Sequence, residues 1–146
     1  MRIVFVCTGN TCRSPMAECI ARAFLAENNK DWVEVESRGL AAEVGAPASE
    51  YAQLAMERMG LDLSHHRARQ LTREDVESAD LIVTMTEAHK AALWPLRQKG
   101  LVTLKELAGE RGDISDPYGG SLEQYILCSE EMYRCLEGLP FMVAVD

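Results

Sequence analysis

The chain has 146 residues, of which 47% are hydrophobic and 26% charged, and its formal net charge is −8 at pH 7. That profile is expected of one soluble globular domain, residues 1–146, with its own core, and it excludes a collagen-like, low-complexity or disordered chain. The acidity argues against a nucleic-acid partner, which needs a basic face, and no apolar run nears the roughly 18 residues of a membrane span.

The apolar stretch at Met1–Cys7 is too short for a signal peptide, and no cleavage pattern follows it. The five cysteines, Cys7, Cys12, Cys19, Cys128 and Cys135, contain no C-x-x-C pair. Neither a disulfide framework nor a zinc site is indicated, so free thiols in a reducing cytoplasm are expected. A monomer without metal or other cofactor is a separate expectation.

Residues 2–7 (RIVFVC) read as a buried strand. After the turn-like Thr8-Gly9-Asn10-Thr11, Ser14-Pro15 reads as a helix start, a capping hydroxyl followed by proline at the first helical position. Met16, Ile20 and Phe24 carry that helix to about Asn28. Val33 and Val35 predict a second strand that ends near Arg38-Gly39, and Ser49 and Gly60 bracket a helix over about 49–59. Thr72-Arg73-Glu74-Asp75 opens a short helix. Residues 81–85 (LIVTM) form a third strand, a helix runs from about 87 to near Pro95, and Leu101–Leu104 forms a fourth strand. Ser121 and Gln124 make a capping box that opens a last helix to about Glu137. The tail 141–146 carries no pattern. Strands alternating with helices predict an α/β fold, a parallel sheet with helices on both faces.

The informative stretch is Cys7-Thr8-Gly9-Asn10-Thr11-Cys12-Arg13-Ser14. A C-x5-R pattern is common by chance, but this one lies between a strand and a helix, where α/β sheets bind ligands. Backbone N–H groups at a helix N-terminus, with the helix dipole, attract an anion. Gly9 and Asn10 can take the positive φ that turns successive N–H groups inward. The anion would then lie directly above the Cys7 sulfur. A helix N-terminus beside an arginine favours a thiolate, so Cys7 is the candidate nucleophile toward phosphorus. Arg13 is the candidate fork for two phosphoryl oxygens, and Ser14 the candidate donor to the sulfur.

The stretch V-C-T-G-N-T-C-R-S-P-M-A-E resembles the signature of the low-molecular-weight protein tyrosine phosphatases. His66-Arg67-Ala68-Arg69-Gln70-Leu71-Thr72 and Asp116-Pro117-Tyr118 resemble two further motifs of that family, so the likeness spans nearly the whole chain. The resemblance implies a four-stranded parallel sheet in the low-molecular-weight phosphatase fold, a phosphocysteine intermediate, no metal, and Asp116 as general acid. It also implies that Ser37 and His66 support Asn10, although Arg38 stands where the family's S-A-G segment has alanine. The chemistry independently calls for an acid, because the leaving group needs a proton and water must later attack phosphocysteine.

Two features separate this chain from the tyrosine-specific pattern. Thr11 replaces a bulky aliphatic residue, and Gly119 stands where a second aromatic is frequent. Both resemble the bacterial protein arginine phosphatase branch, with phosphorylated proteins as substrates. There the threonine hydroxyl would favour a polar guanidinium over a ring, and Tyr118 would stack on the guanidinium plane.

Other readings stand beside this one. A tyrosine phosphatase is the main alternative, because only Thr11 and the Gly119 context argue against it. A thiol-dependent arsenate reductase shares the fold but carries further cysteines after the third strand, where Met85–His89 has none. A non-catalytic phosphate-reading module would not need both Cys7 and Asp116. Cys12 reads either as a small core residue or as the partner of Cys7 in a reversible, redox-sensitive disulfide. Cys19, Cys128 and Cys135 read as core.

Overall fold

The computed structural model describes residues 1–138, and the tail 141–146 lies outside them. Four strands form one parallel sheet: β1 (Arg2–Cys7), β2 (Glu34–Gly39), β3 (Leu81–Thr84) and β4 (Leu101–Thr103), in the order β2-β1-β3-β4. The helices of the described residues are α1 (Arg13–Glu27), α2 (Glu50–Arg58), α3 (Arg73–Ser78), α4 (Glu87–Leu93), α5 (Leu104–Leu107) and α6 (Leu122–Glu137).

Side chains alternate across a strand, and β1 divides the core accordingly. Ile3, Phe5 and Cys7 pack on one face with Met16, Ile20, Met56, Met132 and Leu136, from α1, α2 and α6. Val4 and Val6 pack on the other with Val76 of α3 and Leu93 of α4. Helices therefore cover both faces, as expected of buried parallel strands. No helix of the described residues is long and apolar enough to cross a membrane.

Helix starts follow local chemistry. The hydroxyls of Ser49, Thr72, Thr86, Thr103 and Ser121 each accept from a backbone N–H three residues on. Helix α1 departs from the expected start. It begins at Arg13, its N-cap Cys12 makes no side-chain cap, and Ser14 turns its hydroxyl to the Cys7 sulfur instead. Pro15 occupies the third helical position, where its missing N–H has no intrahelical partner to lose.

Two boundaries also differ. Met85 leaves β3 because its carbonyl accepts from Ile114 N at 2.9 Å rather than from β4. Leu104 belongs to α5, which Thr103 and Glu106 open as a reciprocal capping box.

Arg38 points away from Ser37, by the same alternation. Its guanidinium meets Glu36 and, at 3.1 Å, Asp75, while Arg2 reaches Asp75 at 2.8 Å and Glu36 at 3.2 Å. This four-residue ion network ties β1 and β2 to α3. Burial alone would push the Asp75 carboxyl up, but hydrogen bonds from Arg2 and from the Thr72 backbone outweigh it and hold the group below its usual range. The hydrogen bond from Arg2, against a smaller opposing effect of burial, does the same for Glu36.

Carboxyls held low stabilise the fold above their unfolded values near about 4, and that contribution is lost as pH falls through the folded values. The melting temperature is therefore expected to drop below about pH 4. Asp75→Asn should flatten that acid limb and destabilise by on the order of 3 kcal/mol, since it leaves two guanidinium groups short of a partner. Thermal denaturation across pH checks both.

Candidate active site

Strand β1 is central, and the chain leaves it to β2 on one side and β3 on the other. The carboxyl end of β1 therefore opens at a topological switch point, where α/β sheets hold ligands. Cys7 is its last residue and only 3% exposed. Its sulfur lies 2.9 Å from Ser14 Oγ and receives the Asn10 N–H at 3.3 Å. Both groups can donate a hydrogen bond to the sulfur.

The turn that aims the Asn10 N–H at the sulfur is made at Asn10 itself, with φ of 57°. Gly9, the other candidate, does not enter the left-handed region. Asparagine tolerates that conformation better than most residues, and its surroundings hold it. The Asn10 amide donates to Ser14 Oγ and Ser37 Oγ, each at 2.9 Å, and its Oδ1 accepts from Arg69 N at 2.9 Å. The Asn10 carbonyl accepts from His66 Nε2 at 2.7 Å. Ser37 and His66 thus both hydrogen-bond Asn10. Among the described residues, the N–H groups of Thr11, Cys12, Arg13 and Ser14 have no protein acceptor, which leaves a ring of donors at the start of α1 for an anion.

Cys7, Thr8, Gly9, Thr11, Cys12, Arg13, Asp116 and Tyr118 line one cavity of about 210 Å³. All belong to the predicted site. Arg13 is buried, with Nη1 donating to Ile114 O at 2.9 Å and Nη2 lying 3.4 Å from Asp116 Oδ2. Asp116, its side chain 51% exposed, sits at the mouth and accepts from Tyr118 N at 3.1 Å. Tyr118 is 76% exposed and forms an open wall. Gly119 has a backbone reason to be glycine: it turns at φ 78° inside the loop closed by Gly120 N to Pro117 O at 2.8 Å.

Cys12 is a free buried thiol whose Sγ lies 3.3 Å from Tyr125 Oη and 3.5 Å from Ser49 Oγ. Burial and the contact with Cys12 push the Tyr125 hydroxyl up to about 12, so it stays neutral. Cys128 and Cys135 are core as expected, while Cys19 is only half-buried, its thiol toward Asp62 O.

Three supports were not foreseen. Ile114 O anchors Arg13, and Arg69 N completes Asn10. His89, just inside α4, places Nε2 at 2.9 Å from Thr8 Oγ1. The first two act through backbone atoms, and all three contacts join segments far apart in the chain.

A buried thiol under N–H donors, with an arginine and a carboxylate beside it, is the equipment of a cysteine-dependent phosphatase. The family model for low molecular weight phosphotyrosine protein phosphatase matches residues 2–144, and the chain belongs to that family. It is 40% identical over 150 aligned positions to a protein-arginine-phosphatase of Bacillus subtilis, covering 100% of this chain and 99% of that one. Its fold superposes with a TM-score of 0.86 on a low molecular weight protein tyrosine phosphatase from T. tengcongensis, at 43% identity and covering 92% and 94% of the two chains. The same TM-score, at 37% identity and covering 92% and 90%, relates it to a mutant of the YwlE arginine phosphatase with a phosphorylated active site serine.

Asn10→Ala should strip Ser37, Ser14 and the Arg69 N–H of a shared partner. The expected loss is on the order of 3 kcal/mol, read by urea denaturation, together with weakened binding of inorganic phosphate in calorimetry. Unchanged phosphate affinity would mean that the loop holds its shape without Asn10.

Proposed function

We propose that this chain is a protein phosphatase that hydrolyses phosphoarginine through a phosphocysteine at Cys7. The observation that carries the reading is the cavity itself: the Cys7 sulfur, hydrogen-bonded by Asn10 N–H and Ser14 Oγ, lies in one small cavity with Arg13 and Asp116.

In the first step the Cys7 thiolate attacks phosphorus, an S–P bond forms and the P–N bond to the guanidine breaks. Asp116, protonated at the mouth, gives its proton to the departing nitrogen. Arg13 and the loop N–H groups take the charge on the equatorial oxygens, which the buried guanidinium can do without reorganising. In the second step Asp116, now a carboxylate, takes a proton from water as that water attacks phosphorus. The P–S bond breaks, Cys7 leaves as thiolate, and inorganic phosphate departs. Asn10, Ser37 and His66 hold the loop and take no part in the proton transfers.

Substrate choice rests on the walls. Among the described residues no aliphatic side chain lines the cavity, and two threonines, Thr8 and Thr11, do. A guanidinium offers N–H donors that such hydroxyls can accept, whereas a phenyl ring offers none. The exposed face of Tyr118 suits a planar cation. The name of the Bacillus subtilis relative agrees with this choice.

The test compares kcat/KM for a phosphoarginine peptide and a phosphotyrosine peptide of the same sequence. Wild type should prefer phosphoarginine, and Thr11→Ile should shift the ratio toward tyrosine by roughly 5- to 150-fold, the effect of leaving a polar group unpaired in a closed pocket. A wild type that prefers phosphotyrosine would assign the protein to the tyrosine-specific branch. Asp116→Asn should slow substrates with poor leaving groups far more than aryl phosphates with good ones, because only the former need the proton. Equal slowing in single-turnover kinetics would remove Asp116 from the acid role.

A further inference from the structure

Thr8 follows the nucleophile but, unlike Asn10, Arg13 and Ser14, it is exposed while still lining the cavity. The residue therefore lies on the solvent-facing side of the cavity rather than on its buried floor. A lone surface threonine can rotate its hydroxyl among rotamers. This one cannot do so freely, because Oγ1 lies 2.9 Å from His89 Nε2.

His89 is itself fixed. It is 7% exposed, and its backbone N–H donates to the Thr86 hydroxyl that caps α4. The same junction carries the loop of Asp116: Glu87 N donates to Asp113 Oδ1 at 2.8 Å, and Met85 O accepts from Ile114 N at 2.9 Å. The other ring nitrogen, Nδ1, is buried without a partner. An orphan acceptor is better tolerated there than an orphan N–H, so the proton belongs on Nε2, and the ring donates to Thr8 Oγ1. Burial, then the Arg13 charge, lowers the imidazole's pKa, against the pull of Asp113 and Asp116. A charged ring would also place a second N–H on Nδ1 with nothing to receive it. With one lone pair taken by His89, Thr8 Oγ1 keeps another for an N–H from the mouth of the cavity.

We propose that His89 is a positioning residue for substrate choice: it holds Thr8 Oγ1 as an acceptor for a guanidinium N–H of the bound phosphoarginine. This rests on the phosphoarginine reading and adds to Thr11 a second, independently anchored polar group. An aryl phosphate has no N–H to offer, so the pair discriminates by substrate and not by phosphoryl group.

The experiment measures kcat/KM for the two matched phosphopeptides with the full chain, as wild type, Thr8→Val, His89→Ala, His89→Gln and the Thr8→Val/His89→Ala double variant. The ratio of the two values cancels any fraction of misfolded protein. Thr8→Val and His89→Ala should each lower the arginine-to-tyrosine ratio by about 3- to 10-fold, the worth of one neutral hydrogen bond. The double variant should fall no further than either single one, because both remove the same contact. His89→Gln, whose amide can reach Thr8, should recover part of the ratio. Equal losses on both substrates in Thr8→Val, or additive losses in the double variant, would overturn the inference while leaving a phosphoarginine-preferring wild type intact. A wild type that prefers phosphotyrosine would instead overturn the substrate reading, and this inference with it.

Discussion

For the thiol at the end of β1 to face an anion, the chain after it must fold its N–H groups back over the sulfur, and an L-residue resists that turn by roughly 1–2 kcal/mol. Asn10 makes the turn. Its side-chain amide donates two hydrogen bonds and accepts one, and its carbonyl accepts a fourth, and these hold it there. Each is worth about 1 kcal/mol net, so together they exceed the backbone penalty with a margin. The partners come from α1, β2 and the segment 66–69, and the loop is therefore only as well formed as the fold around it.

The same dependence runs outward from the loop. Ser14 is drawn away from helix capping to serve the sulfur, and α1 starts with its N–H groups uncapped, which is what an anion requires. Arg13 is pinned to the Ile114 carbonyl, and that segment is in turn bonded to Met85 at the end of β3. The arginine and the acid loop thus share one foundation with the sheet. The partly buried ion network of Arg2, Glu36, Arg38 and Asp75 lies on the other side of β2 from Ser37. It locks β2 to β1, which fixes Ser37 beneath Asn10.

Much of this was legible because the signals are local. The apolar runs of the strands, the hydroxyl three residues before an N–H at Ser49, Thr72 and Ser121, and the Cys7–Ser14 stretch each carry their information within a few residues. The errors arose where another group outbids the preference of the residue itself. Ser14 looks like a cap until the sulfur claims it, and Leu104 looks like strand until Thr103 and Glu106 close a box on it. Gly9 has more conformational freedom than Asn10, yet the turn falls on the residue whose side chain finds partners. Ile114 contributes through a carbonyl and Arg69 through an N–H, and such groups have no identity in a sequence. His89 reaches Thr8 with its side chain, but across 81 positions that no local pattern spans.

The central claim is that Cys7 is the atom to which the phosphoryl group moves. Rapid quenching of the full chain mixed with a labelled phosphoarginine peptide, followed by mapping of the phosphorylated residue by mass spectrometry, addresses it directly. The label should appear on Cys7 within one turnover and disappear as inorganic phosphate is released. Label on another residue such as His66 or His89, or phosphate release with no phosphoenzyme formed on the time scale of turnover, would contradict the account.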